Sequence, residues 1–150
     1  MRDYTKIAAW QKADDLTVAV YQATRSFPRD EVYALTSQVR RASYSVPANI
    51  VEGASRDSKK DYLHFLYIAR GSLAETRYFL HLAGRLNCLT PGQQKPLIEQ
   101  ADEAARVLAG LIRSVEAETG KLARLAARTT SIFVLGLTST LLRHAFVSKV

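Results

Sequence analysis

The sequence predicts an all-α protein: an antiparallel up-down-up-down four-helix bundle with a kinked second helix and a C-terminal extension. Three observations lead there. Apolar and small residues recur at alternating steps of three and four along four long segments, which places them on one face of a helix. Most prolines and capping residues fall between those segments. No stretch alternates apolar and polar residues as a half-buried strand would. Short connections then make consecutive helices antiparallel.

The first helix carries Ala9, Ala13, Leu16, Val20, Ala23 and Phe27, and it ends at Phe27-Pro28, because the residue before proline disfavours helix. The second carries Leu35, Val39, Ala42, Val46 and Ile50 and is expected to stop at Gly53, a residue able to take the left-handed conformation. Pro47 lies inside it. That proline removes the amide that would bond the Ser43 carbonyl, a defect of about 3 kcal/mol in an ordinary helix, so a kinked helix held by its neighbours is expected.

The third helix begins at Ser58, a capping residue followed three positions later by Asp61. Its stripe reads Tyr62, Leu66, Ala69, Leu73, Thr76, Leu80 and Ala83, and a second stripe of Phe65, Ile68, Ser72, Glu75, Phe79, Leu82 and Leu86 runs beside it. Two stripes imply burial against two neighbours. Thr90-Pro91 opens the fourth helix, marked by Leu97, Ala101, Ala104, Leu108, Leu111 and Val115, although Pro96 is able to delay its start by a turn. Gly71, Gly84 and Gly110 each cost roughly 1 kcal/mol against alanine in a helix, and close helix approach is the expected reason for them.

The chain of 150 residues fits one bundle over residues 1–120, with a basic extension over 121–150 expected to be partly helical or disordered. The formal charge of +7 is unevenly placed. Residues 121–150 hold five lysines and arginines and no acid, which leaves the bundle nearly balanced, so whole-chain charge argues only weakly for a polyanion ligand. The extension suits a solvated appendage, and its basic amphipathic character also suits a membrane surface or nucleic acid. No apolar run approaches the roughly 20 residues of a membrane span, and neither a secretory signal nor a disulfide framework is visible, Cys88 being the one cysteine. A cytoplasmic location follows as the expectation.

Catalytic and metal chemistry find little support. The Asp61-x-x-His64 spacing is a single remote analogue of a dimetal motif, His81 lies about 25 Å further along the same helix, and His144 is in the extension. Cys88 has no histidine placed to activate it, and no glycine-rich phosphate loop exists. No enzyme activity, cofactor or metal is expected. Two polar constellations remain. Ser72 and Glu75 interrupt an apolar stripe, and a buried carboxylate needs a partner, so Glu75 is expected to meet Arg41, with Gln38 and Asn49 contributing. The second is basic: Arg25 and Arg29, then Arg40 and Arg41, then Arg56, Lys59 and Lys60 at a helix start suited to phosphate, with Tyr33, Tyr44 and Tyr62 near in sequence.

Trp10-Gln11-Lys12-Ala13, Phe27-Pro28, Glu31-x-Tyr33-x-Leu35, Gln38-x-Arg40-Arg41-Ala42, Ser45-x-Pro47-x-Asn49-Ile50-x-Glu52-Gly53, Phe65-Leu66-x-Ile68-Ala69-x-Gly71-Ser72 and Glu75 together resemble the 23S rRNA intervening sequence proteins. The resemblance covers roughly residues 4–120. It implies an antiparallel four-helix bundle assembled as a homopentamer and encoded within insertions of bacterial rRNA genes. It also implies kinship with the accessory variability proteins of diversity-generating retroelements, positively charged pentamers that bind nucleic acid and a reverse transcriptase. The family motifs map onto Arg40, Arg41, Asn49, Glu52, Ser72 and Glu75, with no catalytic residue to transfer.

The functional expectation is a non-enzymatic homo-oligomeric scaffold that binds structured RNA or DNA through Arg40, Arg41, Arg56, Lys59 and Lys60, with Gln38, Arg41, Asn49, Glu52, Ser72 and Glu75 as a polar network. The alternative is an adaptor that recruits a protein such as a reverse transcriptase without touching nucleic acid.

Overall fold

The computed structural model describes residues 2–147, with side chains through Gly120. It is all-helical, and no strand occurs among the described residues. Four helices dominate: α1 (Ala8–Ala23), α2 (Leu35–Ser55), α3 (Lys59–Arg85) and α4 (Pro91–Val147). The chain divides into two units, Met1–Val115 and Glu116–Val150. The first unit holds the core, built from the residues that the periodicity singled out. Leu16 and Val20 of α1, Val39, Val46 and Ile50 of α2, Leu66 and Leu80 of α3, and Leu97, Ala101, Ala104 and Leu108 of α4 are all buried in one cluster.

Contacts between consecutive helices follow the order expected when neighbours run in opposite directions. Thr24 and Thr17 meet Arg40 and Ser43 respectively, Ser45 meets Ser72 while Gly53 meets Tyr62, and Leu80 and Arg77 meet Gln94 and Asp102. The Gln94 side-chain amide donates to the Leu80 carbonyl at 2.9 Å, which ties the start of α4 to α3.

Pro47 does not end α2, which passes through it and buries it. The reason is visible one helix away. The Ser43 carbonyl that loses its intrahelical donor accepts instead from the Thr17 hydroxyl of α1 at 3.0 Å. The same hydroxyl also lies 2.8 Å from the Ala13 carbonyl, so its one proton is shared between its own helix and α2.

The ends of the helices mostly follow local chemistry. Phe27 is extended ahead of Pro28, and α1 closes three residues earlier than expected, with Thr24–Ser26 tightening into a 3-10 turn. Glu31 accepts from the Leu35 amide at 3.1 Å and so caps α2 from outside. Ser58 caps α3 by accepting from the Asp61 amide. At its other end α3 stops through Asn87, whose φ of 58° is left-handed, while the Cys88 amide donates back to the Ala83 carbonyl at 2.9 Å. That is a Schellman closure with asparagine in the usual glycine place. Thr90 and Gln93 then form a reciprocal capping box, and α4 starts at Pro91 with no delay at Pro96.

Two expectations about glycine are corrected. Gly53 does not end α2 in a left-handed turn: no glycine among the described residues has positive φ, and the helix continues to Ser55. Its role is steric, since a Cβ there would sit 2.9 Å from both Phe65 Cβ and Tyr62 Cδ2 of α3. Conversely, nothing lies within 4 Å of a Cβ on Gly71, and Gly110 has only the distant tip of Arg113, so neither marks a close approach inside the protomer. Gly84 does, lying against the Gln94 side chain. The expectations for the side chains of 121–150 lie outside the described residues.

Two stability measurements check these assignments. Thr17→Val should lower urea stability by about 1–2 kcal/mol by stranding the Ser43 carbonyl, and the loss should shrink in the Pro47→Ala background, where an amide returns; an equal loss in both backgrounds would show that Thr17 acts elsewhere. Gly53→Ala should destabilise by about 1–3 kcal/mol through overpacking against α3, whereas Gly71→Ala in the monomeric state should stabilise by up to about 1 kcal/mol.

Candidate nucleic-acid interface

Where α1 gives way to the Phe27-Pro28 break and the chain turns back into α2, four arginines converge. Arg25, Arg29, Arg40 and Arg41 line one groove of about 690 Å³ together with Tyr21, Tyr33 and Tyr44 and the hydroxyl residues Thr24, Thr36 and Ser37. No carboxylate lines it. Among the described residues none of the four arginines is ion-paired, so their charge is uncompensated within the protomer. The nearest acids in sequence are Asp30, exposed on the intervening turn, and Glu31, whose carboxylate is engaged at the α2 amide.

Arg40 is held in place. Its Nε donates to the Thr24 hydroxyl at 2.7 Å, and its guanidinium lies 4.9 Å from the centroid of the Tyr21 ring. One edge of the fork is thereby fixed, and the terminal nitrogens have no protein acceptor. An arginine oriented in this way loses less side-chain entropy on binding an anion than a free one.

Thr36 is the residue of this groove that the sequence reading missed. It is only 4% exposed, and its hydroxyl has no hydrogen-bond partner. Helical threonines ordinarily donate to the carbonyl four residues back, as Thr17 and Thr76 do here. Thr36 is the second residue of α2, so the residue four back precedes the helix and no such bond forms. An unspent buried hydroxyl costs about 1–3 kcal/mol. A threonine in the first turn of a helix, flanked by arginines, is the signal that would have found it.

The basic residues expected to act together are split into two places. Arg56, Lys59 and Lys60 stand at the opposite end of α2, sixteen residues and so about 24 Å along the helix from Arg40. There the charge is partly spent: Arg56 pairs with Glu52 and lies 5.0 Å from the Phe65 ring centroid. Arg2 donates to the Arg56 carbonyl at 3.2 Å and lies over the Tyr62 ring, 4.4 Å from its centroid. Tyr62 therefore belongs to the core at this turn and not to a stacking platform, its ring being buried.

The polar network is also rearranged. Asn49 donates to the Ser45 carbonyl at 2.7 Å and lies 3.1 Å from the Ser45 hydroxyl, which in turn bonds Ser72 across the α2–α3 seam at 3.0 Å. Glu52 belongs to the Arg56 pair instead. Glu75 is exposed, not buried, and makes no ion pair with Arg41; the two share a groove of about 350 Å³ with Gln38 and Ser72. The second stripe of α3 explains the correction, because α3 contacts its neighbours through the Tyr62-to-Ala83 face while Ile68 and Leu86 of the second stripe stay exposed.

Cys88 is half-buried beyond the α3 cap, and burial, aided by the Glu31 charge, pushes its thiol up from the ordinary range. Among the described residues no group of histidine, cysteine and carboxylate side chains is gathered to hold a metal ion. No helix among them is long and apolar enough to cross a membrane.

Residues 5–110 match the family described as 23S rRNA-intervening sequence protein. The chain belongs to that family. A solved protein of similar fold is described as a protein with unknown function from the S23 ribosomal protein family of Bacteroides thetaiotaomicron VPI-5482, determined at 1.70 Å. It is 24% identical, with a TM-score of 0.65 over 70% of this chain and 98% of its own. That likeness is one of fold. No curated protein matches the chain.

For this member of the intervening sequence family, Tyr62 gives a pH test of the α2–α3 turn. Burial raises its phenol, with Arg2 opposing, so the native state holds the proton more tightly than the unfolded chain. The stability is fully present below the unfolded value of about 10 and declines as pH rises past it. Urea midpoints should fall between pH 8 and pH 10.5, and less steeply in Tyr62→Phe; equal slopes would assign the loss to another group.

Proposed function

We propose that this protein is a non-enzymatic scaffold, assembled from several copies of the chain, that binds structured RNA through the arginine-lined groove between the end of α1 and the start of α2. The observation that carries this reading is the convergence of Arg25, Arg29, Arg40 and Arg41 with three tyrosines and no carboxylate. Unpaired cations held against a low-dielectric body concentrate polyanions, and each phosphate they neutralise releases counterions. The family description refers to a sequence intervening in 23S rRNA and names no ligand; structured RNA is the polyanion we propose, with DNA of like charge as the comparison. The Arg56, Lys59 and Lys60 turn is a subsidiary contact, because Glu52 already offsets part of its charge.

Assembly is supported by apolar side chains left outside the core, Tyr67, Ile68, Tyr78 and Leu86 on α3 and Val18 on α1. Arg41 and Glu75, adjacent yet unpaired, offer a polar counterpart along the same seam. A ring, a pentamer on the family pattern, repeats the arginine groove once per subunit and multiplies its field. A single cysteine suits a reducing compartment, and we place the assembly in the cytoplasm.

The exposed apolar face of α3 also favours a second reading, an adaptor whose ring recruits a protein such as a reverse transcriptase. Salt separates the two, since only phosphate contacts give affinity that falls steeply as salt rises.

The deciding measurement is anisotropy of a labelled RNA hairpin with a single-stranded loop, titrated at several salt concentrations. Arg25→Glu with Arg29→Glu should weaken binding about tenfold or more and flatten the salt slope by about 1–2, with helix content unchanged. Arg56→Glu with Lys60→Glu should do less. Full-strength binding by the first variant would remove the groove from the proposal.

A further inference from the structure

The arginine groove has a shape and chemistry more particular than a basic face. A volume of about 690 Å³ falls in the range of about 300–1,000 Å³ typical of sites for one small molecule. The tyrosine at it, Tyr33, is 94% exposed, with its ring free on the segment that leads into α2. Beside it is a group suited to a phosphate, the oriented Arg40 fork. A phosphate alone would not need Tyr33. A base alone would not need four arginines.

Resting on the RNA-binding reading above, we infer that the groove takes an unpaired nucleotide of a single-stranded RNA segment, its base stacked on Tyr33 and its phosphate held by Arg40. Every base has a π-face, so the stack is tolerant of sequence, and a paired base in a duplex cannot present its face to the ring. Tyr21 is already covered by Arg40, which leaves Tyr33 and Tyr44 for the ligand.

The test compares a 12-nucleotide single-stranded RNA with the blunt duplex of the same sequence, at fixed salt, on the full chain. The single strand should bind about tenfold more tightly than the duplex. Tyr33→Ala should cost about tenfold for the single strand while leaving the salt slope unchanged, since stacking releases no counterions, and Tyr33→Phe should bind as the native protein does. Equal or tighter duplex binding, or an unaffected Tyr33→Ala, overturns this inference while the groove still binds RNA through its arginines. Failure to bind either RNA overturns the RNA-binding reading itself. Displacement of the single strand by an equimolar phosphorylated peptide overturns the nucleotide assignment.

Discussion

One hydroxyl, that of Thr17, links α1 to α2 at the point where α2 loses its own hydrogen bond. Pro47 leaves the Ser43 carbonyl without a partner in the middle of α2, in a region where both residues are buried. A buried orphan acceptor would ordinarily break the helix or admit water. Thr17 of α1 meets it at 3.0 Å, so the defect in one helix becomes a bond between two. Because that bond is directional, it sets which turn of α1 faces which turn of α2, a registration that apolar packing specifies less sharply. Seven residues further on, in the 3-10 turn that follows α1, Thr24 is then placed to take the Arg40 guanidinium. The geometry of the groove follows from the same register.

From this register comes the separation of the two basic regions. An α-helix advances about 1.5 Å per residue, so α2 acts as a spacer that carries Arg40 and Arg41 at one end and Arg56 at the other. The two ends have been treated differently by their surroundings. Around Arg56 the neighbours are Glu52 and Phe65, which engage the cation, while Arg2 donates to the Arg56 backbone carbonyl. Around Arg40 the neighbours are hydroxyls and an aromatic face, which orient the cation without neutralising it. Structural arginines end in carboxylates; arginines kept for a ligand end in groups that leave the charge intact.

Much of this was legible in the sequence, and the remainder was not for identifiable reasons. The core faces follow from spacing alone, because burial of a helix stripe is a one-dimensional property: Leu16, Val39, Leu66 and Leu108 are buried where their periodicity put them. The caps at Ser58 and Thr90 are likewise local. What failed were judgements about which neighbour a face meets. Glu75 sits on a stripe of the right period, but that stripe opens to the surface, and its carboxylate is exposed. Gly53 has the composition of a helix end, yet the approach of Phe65 and Tyr62 from α3 explains it. The basic residues were read as one constellation because sequence does not record that a helix of about 24 Å stands between them.

Thr36 and Thr17 form an instructive pair, since the same residue type yields opposite outcomes from position alone. Thr17 lies within α1, has the Ala13 carbonyl behind it and the Ser43 carbonyl beside it, and spends its proton inside the fold. Thr36 lies in the first turn of α2 with no helical carbonyl behind it, and its hydroxyl remains unspent although buried. Replacing Thr36 by valine would remove that desolvation penalty at constant shape. The arginines of the same groove are the opposite case, because Arg25, Arg29, Arg40 and Arg41 keep a charge that no described carboxylate balances, and that charge lies where an anion from outside the protomer would meet it.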